Sequence, residues 1–380
     1  MIIDCVYKAV RTQSDLQHAM EILSTADILS GDSSIVRQYE KHLCEYFHKK
    51  HAIAVSSGTA ALHASLVSAI KPGAEVLVPV ISVPMTISAV LQAGGVPVFY
   101  DCRPDSFLPD LPSLENKITT STQVLISVSM WGYTSLDRDT LSFCKKYGIT
   151  IIEDAAQSAG TYSALGYDGT IGDIGCFSTH EFKLISTGEG GFILTDSDFY
   201  AEKIRSFTRI GFSESHKSFG YHNGLNYKLS AFQAAIGITQ LANLDIKIQD
   251  RNARMAQWMQ LTNSNHIHFM QDKNIIRHNG YSLCCLLDGF CNITGRELAT
   301  RLYKKGINTD TFRYKNTIVC NYPLYADFYS PPIYKGDNSQ DFPNATKLVS
   351  KMLVLPCHER VSNEAIKQAA LSIQQIIEGS

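Results

Sequence analysis

Residues 51–101 read HAIAVSSGTAALHASLVSAIKPGAEVLVPVISVPMTISAVLQAGGVPVFYD, and the punctuation of this stretch decides the fold. AIAVSS, from Ala52, is a short apolar run that predicts a strand. It enters Gly58-Thr59, after which AALHASLVSAI has helical periodicity and stops near Lys71-Pro72-Gly73. The same unit then recurs: EVLVPV reads as a strand, MTISAVLQAG as a helix closed by Gly94-Gly95, and VPVFYD as a further strand. Upstream, Ser33 or Ser34 caps a helix running through IVRQYEKHLCEYFHKK, with Ile35, Tyr39, Leu43 and Phe47 on one face. Downstream, TQVLISVS and ITIIED are strands on either side of LDRDTLSFCKKYG, a helix with Gly148 beyond it. Strands alternating with helices of this length mean βαβ crossovers. The expected fold class is α/β, with a mostly parallel sheet covered by helices on both faces.

The length of 380 residues predicts more than one domain. Apolar residues make up 44% and the formal charge is -2, which gives no electrostatic reason to expect nucleic acid or an anionic membrane as partner. Ten cysteines without a close CxxC or CxxH pair read as buried small hydrophobes in a reducing compartment, not as zinc ligands or a disulfide framework. MIIDCVYKAVRTQSD has no basic region followed by an apolar run, and no stretch elsewhere is long and apolar enough to span a bilayer, so a cytoplasmic protein is expected. QLANLDIKIQDRNARMAQWMQL reads as one long helix, charged on one side. After it, IRHNGYSLCCLLDG and GRELATRLYKKGINTD suggest a strand and then a helix, and KLVSKMLVLPCHERVSNEAIKQAALSIQQII ends in a second helix. The expected division is a large domain over 1–254 and a smaller C-terminal α+β domain over 255–380. TIVCNYPLYADFYSPPIYKGDNSQDFPNA, within the latter, reads as irregular structure.

In such sheets ligands bind beyond the carboxyl ends of the strands, and three unusual segments map there. In SSGTAAL, Gly58 and Thr59 open a helix directly after a strand. Their unpaired N–H groups and the helix dipole would face an anion, most simply a phosphate; ordinary capping is the plainer alternative. In EDAAQS, Asp154 ends an apolar strand. It is either a cap or a carboxylate opposite a pyridine nitrogen, where it would keep that nitrogen protonated and make the ring an electron sink. Gln157 stands on the same local surface, within reach of the ring oxygen. Neither HExxH nor an EF-hand spacing occurs, so no metal is expected. In GCFSTHEFKLISTGEGGFILTD, strand-like ends enclose Ser178, His180, Lys183 and a glycine turn at 188–191. A lysine in an apolar run is costly to desolvate as a cation, which frees an amine for Schiff-base formation, and Ser178 offers a phosphate donor. An ordinary surface loop is the alternative for this segment taken alone. An amine nucleophile paired with a carboxylate is the minimum kit for pyridoxal 5'-phosphate (PLP) chemistry.

SSGTAAL, EDAAQS, GCFSTHEFKLISTGEGG and LNYKLSAFQAAIGITQL resemble, in order, the signature stretches of the DegT/DnrJ/EryC1/StrS aminotransferases, which act on sugars and aminocyclitols. The resemblance runs from about residue 13 to the C-terminus. It implies PLP-dependent transferase fold type I, like that of aspartate aminotransferase. It also implies Lys183 as the lysine that carries PLP, Asp154 on the pyridine nitrogen, Gln157 near the phenolic oxygen, and Gly58, Thr59 and Ser178 at the phosphate. Members of the family are homodimers with active sites at the subunit interface, and in that pattern Asn226 reaches the phosphate of the neighbouring subunit's cofactor. The amino donor implied is L-glutamate or L-glutamine and the acceptor a keto sugar, most often nucleotide-linked. In such a ping-pong reaction the Lys183 amine moves a proton between the donor's Cα and the cofactor.

This sequence departs from the pattern in two places. Where relatives place an aromatic residue over the cofactor ring, PVISVPMT offers Val83, which packs but has no aromatic face. Where relatives carry a histidine, SVSMWGY places Ser129, Met130 and Trp131. Some members exchange the catalytic lysine for histidine and act as sugar dehydratases; retention of Lys183 favours transamination over a dehydratase. An acceptor that is a cyclitol or a keto sugar without a nucleotide is a further alternative. His180 either touches substrate or shapes its loop through a hydrogen bond. Arg209, Tyr221 and His222 are candidate substrate contacts in a Gly-, Ser- and His-rich loop, and SGDSS at 30–34 matches a family loop bordering the substrate site.

Overall fold

The alternation over 51–154 folds as a sheet whose carboxyl ends collect on one side. In the computed structural model, β1 (His51–Val55), β2 (Glu75–Pro79), β3 (Val96–Tyr100), β4 (Thr122–Val128) and β5 (Thr150–Asp154) lie where the apolar runs place them. The structure describes residues 2–9, 11–220, 223–262, 266–288, 292–314, 317–328, 333 and 337–379. The short pair β6 (Tyr162–Ser163) and β7 (Gly166–Tyr167) leads to β8 (Ile174–Ser178) and β9 (Gly191–Thr195). The seven-stranded order is β1-β9-β8-β5-β4-β2-β3. β9 runs antiparallel to both β1 and β8, and the remaining neighbours pair in parallel. The mostly parallel sheet expected from the sequence therefore contains one reversed strand. Its connection to β8 is the loop carrying Lys183, which pairs with itself through Thr179 N–H to Gly190 O and Glu181 N–H to Gly188 O and so turns back without crossing the sheet.

Helices α1 (Gln13–Ser24), α2 (Ser34–Phe47), α3 (Gly58–Ala69), α4 (Pro84–Gln92), α5 (Leu111–Glu115), α6 (Arg138–Tyr147) and α7 (Asp198–Thr208) complete this part with α8 (Ala231–Ala242) and α9 (Leu244–Leu261). Ser33 is the N-cap of α2, its hydroxyl accepting from Ile35 N–H at 3.2 Å. Ile35, Tyr39, Leu43 and Phe47 are all buried in the main core, and Ile35, Leu43 and Phe47 each contribute about 1.5–3 kcal/mol by leaving water. Gly148, at φ 65, ends α6 in the left-handed conformation that glycine adopts without strain. The helix read through 240–261 is two helices, because the chain breaks at Asn243. Its charged side is partly inside: Lys247 and Arg251 are buried.

The C-terminal part builds a second core around a three-stranded sheet, β10 (Ile267–Phe269), β12 (Ser282–Leu287) and β13 (Met352–Pro356). Between the first two in sequence, β11 (Ile275–Arg277) pairs with β6. α10 (Gly295–Lys304) and α13 (Asn363–Glu378) cover the sheet, as the sequence pattern predicts, and α11 (Asn338–Asp341) and α12 (Pro343–Lys351) precede β13. α9 is continuous across residues 254 and 255. Residues 2–9 lie along this second layer. Ile3 pairs with Ile307 and sits in the second core, and Asp4 O accepts from His358 Nε2 at 2.9 Å. Of the described cysteines, Cys5 and Cys44 are half-buried and the other seven buried, all with free thiols. No helix among the described residues is long and apolar enough to cross a membrane.

Candidate active site

A cavity of about 470 Å³ opens where β4, β5, β8 and the start of α3 converge. Gly58, Thr59, Val83, Asp154, Gln157, Ser178, His180 and Lys183 all line it, so one pocket gathers eight residues read from separate segments of sequence.

The anion end follows from a helix start. Ser57 caps α3 by accepting from Ala60 N–H at 3.0 Å. Gly58 and Thr59, on the first turn, present N–H groups that precede the intrahelical ladder. Ser178, the last residue of β8, lies against them: a Cβ on Gly58 would meet Ser178 Cβ at 2.8 Å. The missing side chain is what lets strand end and helix start approach closely enough to share one ligand.

At the opposite end Asp154 is 3% exposed. Its Oδ2 accepts from the Thr86 hydroxyl at 2.7 Å and its Oδ1 from Ala156 N–H at 3.2 Å. Burial pushes this carboxyl above the usual range, opposed by Thr86, Ala156 N–H and the Lys183 cation. A buried carboxylate with free capacity at a cavity wall suits a cationic ring nitrogen.

Lys183 is half-buried on the loop between β8 and β9, its Nζ 5.4 Å from the centre of the Tyr281 ring. The loop is fastened at many points. Thr179 N–H donates to Gly190 O and Glu181 N–H to Gly188 O, both at 2.8 Å. Gly188 and Gly190, at φ 84 and 150, make the return expected of them. Glu181 pairs with Arg11 and accepts from Ala9 N–H. From beneath, Lys247 Nζ donates to Leu184 O at 3.0 Å and to Gln240 Oε1 at 2.6 Å. His180 lines the cavity, and its Nδ1 accepts from Phe182 N–H at 3.3 Å, the loop-shaping hydrogen bond that was one of its two expected roles.

Several lining residues were not read from the sequence: Cys5 and Val6 near the start of the described chain, Phe182, and Arg313 and Tyr314 from the second layer. Arg313 is held by Asp310, by the Tyr281 hydroxyl at 3.3 Å and by Cys5 O at 3.1 Å. Burial works against its charge, but Tyr281 and Asp310 more than offset this and keep it cationic. Phe182 was in plain view one position before Lys183; the others carry no local signal.

Arg209, Asn226 and the SGDSS residues do not line the cavity. Arg209 follows α7 and lies 3.7 Å from Asp32, which Lys228 also reaches at 2.9 Å, so the SGDSS loop is tied to LNYKLS and not to the pocket. Asn226 is exposed and bridges to Arg209 through backbone. Tyr221 and His222 lie outside the described residues. No group of three or more His, Cys, Asp or Glu side chains among the described residues is arranged to hold a metal ion.

The sequence signature described as the DegT/DnrJ/EryC1/StrS aminotransferase family matches residues 10–374. Two curated relatives carry the name GDP-perosamine synthase. That of Caulobacter vibrioides is 34% identical over 246 residues, 64% of this chain and 66% of the relative. That of Escherichia coli O157:H7 is 27% identical over 371 residues, 97% of each. A solved structure of the E. coli GDP-4-keto-6-deoxy-D-mannose-3-dehydratase with bound hydrated PLP superposes with a TM-score of 0.84 at 20% identity, covering 98% of both chains.

Proposed function

The chain belongs to the DegT/DnrJ/EryC1/StrS aminotransferase family and is an enzyme of that class, and on this premise we propose that it uses PLP to move an amino group from L-glutamate, or L-glutamine, to a nucleotide-linked keto sugar. The observation that carries the proposal is the convergence on one cavity of Lys183, buried Asp154 and an anion cradle made by Ser178 and the first turn of α3. The donor set fits the group: a carboxylate for a ring nitrogen, an amine for an aldehyde, and hydroxyl and N–H donors for a phosphate. When bound, PLP supplies an electron sink for negative charge developing at a substrate carbon. Asp154 keeps the charge complementary to that sink. Ser178, Gly58, Thr59 and the α3 dipole would hold the PLP phosphate. The Lys183 amine would take the proton from the substrate Cα and hold it for return on the same side. Val83 and Phe182 add apolar surface to the wall of the same cavity.

The name of the two curated relatives supports a GDP-linked acceptor. We propose a homodimer as well, supported by exposed apolar residues near Asn226. Leu29 O accepts from Ala231 N–H beside exposed Phe232, and Ile210 N–H donates to Leu225 O, both side chains exposed. In that reading Asn226 serves the neighbouring subunit's site, residues 1–254 hold the cofactor, and residues 255–380, with Arg313 and Tyr314, close it.

The test is the absorption spectrum of the protein with PLP, before and after L-glutamate, for wild type and Lys183→Ala. A visible band that collapses to the amine form of the cofactor only in wild type supports the first half-reaction, and GDP- and TDP-linked keto sugars are then screened as acceptors. A band that ignores glutamate and glutamine moves the dehydratase reading ahead. No band in wild type ends the PLP reading.

A further inference from the structure

Gln157 and Tyr314 belong to a run of hydrogen bonds that has a direction. The Trp131 backbone N–H donates to Gln157 Oε1 at 2.8 Å. A backbone N–H only donates, so it settles which end of the amide faces it and sends the amide nitrogen the other way. Gln157 Nε2 donates to the Tyr314 hydroxyl at 3.0 Å and lies 3.9 Å from Met130 Sδ, two contacts for its two hydrogens. The Tyr314 oxygen is therefore an acceptor here, and its own hydrogen remains. Among the described residues none accepts it.

The start of the run is rigid. Trp131 is buried at φ 53, an unusual backbone for a bulky residue, with the rings of Phe107 and Tyr314 centred 5.6 and 6.3 Å away. The end of the run opens into the cavity that Asp154 and Lys183 share with both residues.

We infer that Tyr314, and not the amide of Gln157, donates the hydrogen bond to the ionised ring oxygen of the cofactor, with Gln157 as the positioning residue that turns the Tyr314 hydroxyl. This rests on the PLP reading above. Burial holds the Tyr314 phenol well above its ordinary pKa, so it stays protonated and able to donate. Negative charge on the ring oxygen helps hold a proton on the Lys183 nitrogen beside it. A donor that shares that charge lets the proton leave at lower pH.

The experiment titrates the visible band of PLP-loaded wild type, Tyr314→Phe and Gln157→Met from pH 5 to 10, with circular dichroism as a check of folding and equilibrium dialysis for PLP retention. Tyr314→Phe raises the titration midpoint by about one pH unit and weakens PLP retention several-fold. Gln157→Met shifts it in the same direction by less, because the phenol stays but loses its director. A midpoint unmoved in Tyr314→Phe and raised in Gln157→Met overturns the inference and makes the amide the donor. A wild type with no PLP-dependent band overturns the cofactor reading and this inference together, whereas a normal wild-type band beside an unmoved Tyr314→Phe midpoint overturns this inference alone.

Discussion

The hydroxyl of Thr86 donates to Asp154 Oδ2 at 2.7 Å, so the first turn of α4 and the last residue of β5 share one hydrogen bond at the wall of the cavity. Burial raises the pKa of Asp154 and this bond pulls it down. Thr86→Val removes the donor while keeping the shape. A hydrogen bond to a charged group is worth about 1.5–3 kcal/mol, or about one to two pH units, so the acid limb of the kcat/KM profile should move upward by about one unit with little change in the plateau above pH 8. Superimposable profiles from pH 5 to 9 would show that turnover does not depend on Asp154 being ionised.

Gly58→Ala places a methyl group 2.8 Å from Ser178 Cβ, two residues held by sheet and helix and unable to separate cheaply. Overpacking of this kind costs about 1–3 kcal/mol. The expected outcome is a folded protein that retains PLP about tenfold less well, measured by equilibrium dialysis. Unchanged retention would mean that the phosphate does not sit between α3 and Ser178.

His278 is buried, which lowers its pKa to about 3, and its Nδ1 accepts from Gly280 N–H at 2.9 Å. The folded value lies below the unfolded value, so the unfolded chain binds more protons between about pH 3 and 6.5. Stability is complete above that window and falls as the pH drops through it. At pH 5 this one residue costs about 2 kcal/mol relative to pH 7. Urea midpoints at pH 7 and 5 should therefore fall further for wild type than for His278→Asn, and equal falls would count against a neutral buried ring.

If Asn226 of one subunit serves the site of the other, Lys183→Ala and Asn226→Ala are each nearly inactive alone and complement when mixed. Random reassociation puts one intact site in half the dimers, so about a quarter of wild-type activity should return. A mixture no more active than its components would mean that Asn226 serves the site of its own subunit.

Much of the fold and half of the pocket could be read locally, and the reason is physical. Strand ends, helix caps and glycine turns are written within a few residues, so Ser33, Gly58, Asp154, Ser178 and Lys183 announced themselves by what stood next to them. Arg313, Tyr314 and Cys5 did not, because their placement depends on packing the second layer against the first, and nothing near them in sequence encodes that contact. Lys247 misled in a different way. On a helix read as charged along one side it counts as surface, but its ammonium is buried where Leu184 O and Gln240 Oε1 accept from it. Hydropathy cannot distinguish a solvated lysine from one holding a loop.

The position of residues 2–9 sets a timetable for synthesis. Ile2 N–H donates to Gly306 O, Asn308 N–H to Ile3 O and Arg313 to Cys5 O. The segment therefore emerges from the ribosome long before its partners exist. A nascent chain made as far as about residue 250 already carries the strands of the seven-stranded sheet, Asp154 and Lys183, and still lacks one side of its pocket. Such non-local closure is slow. The wall of the cavity that Arg313 and Tyr314 line can form only after those residues have been made.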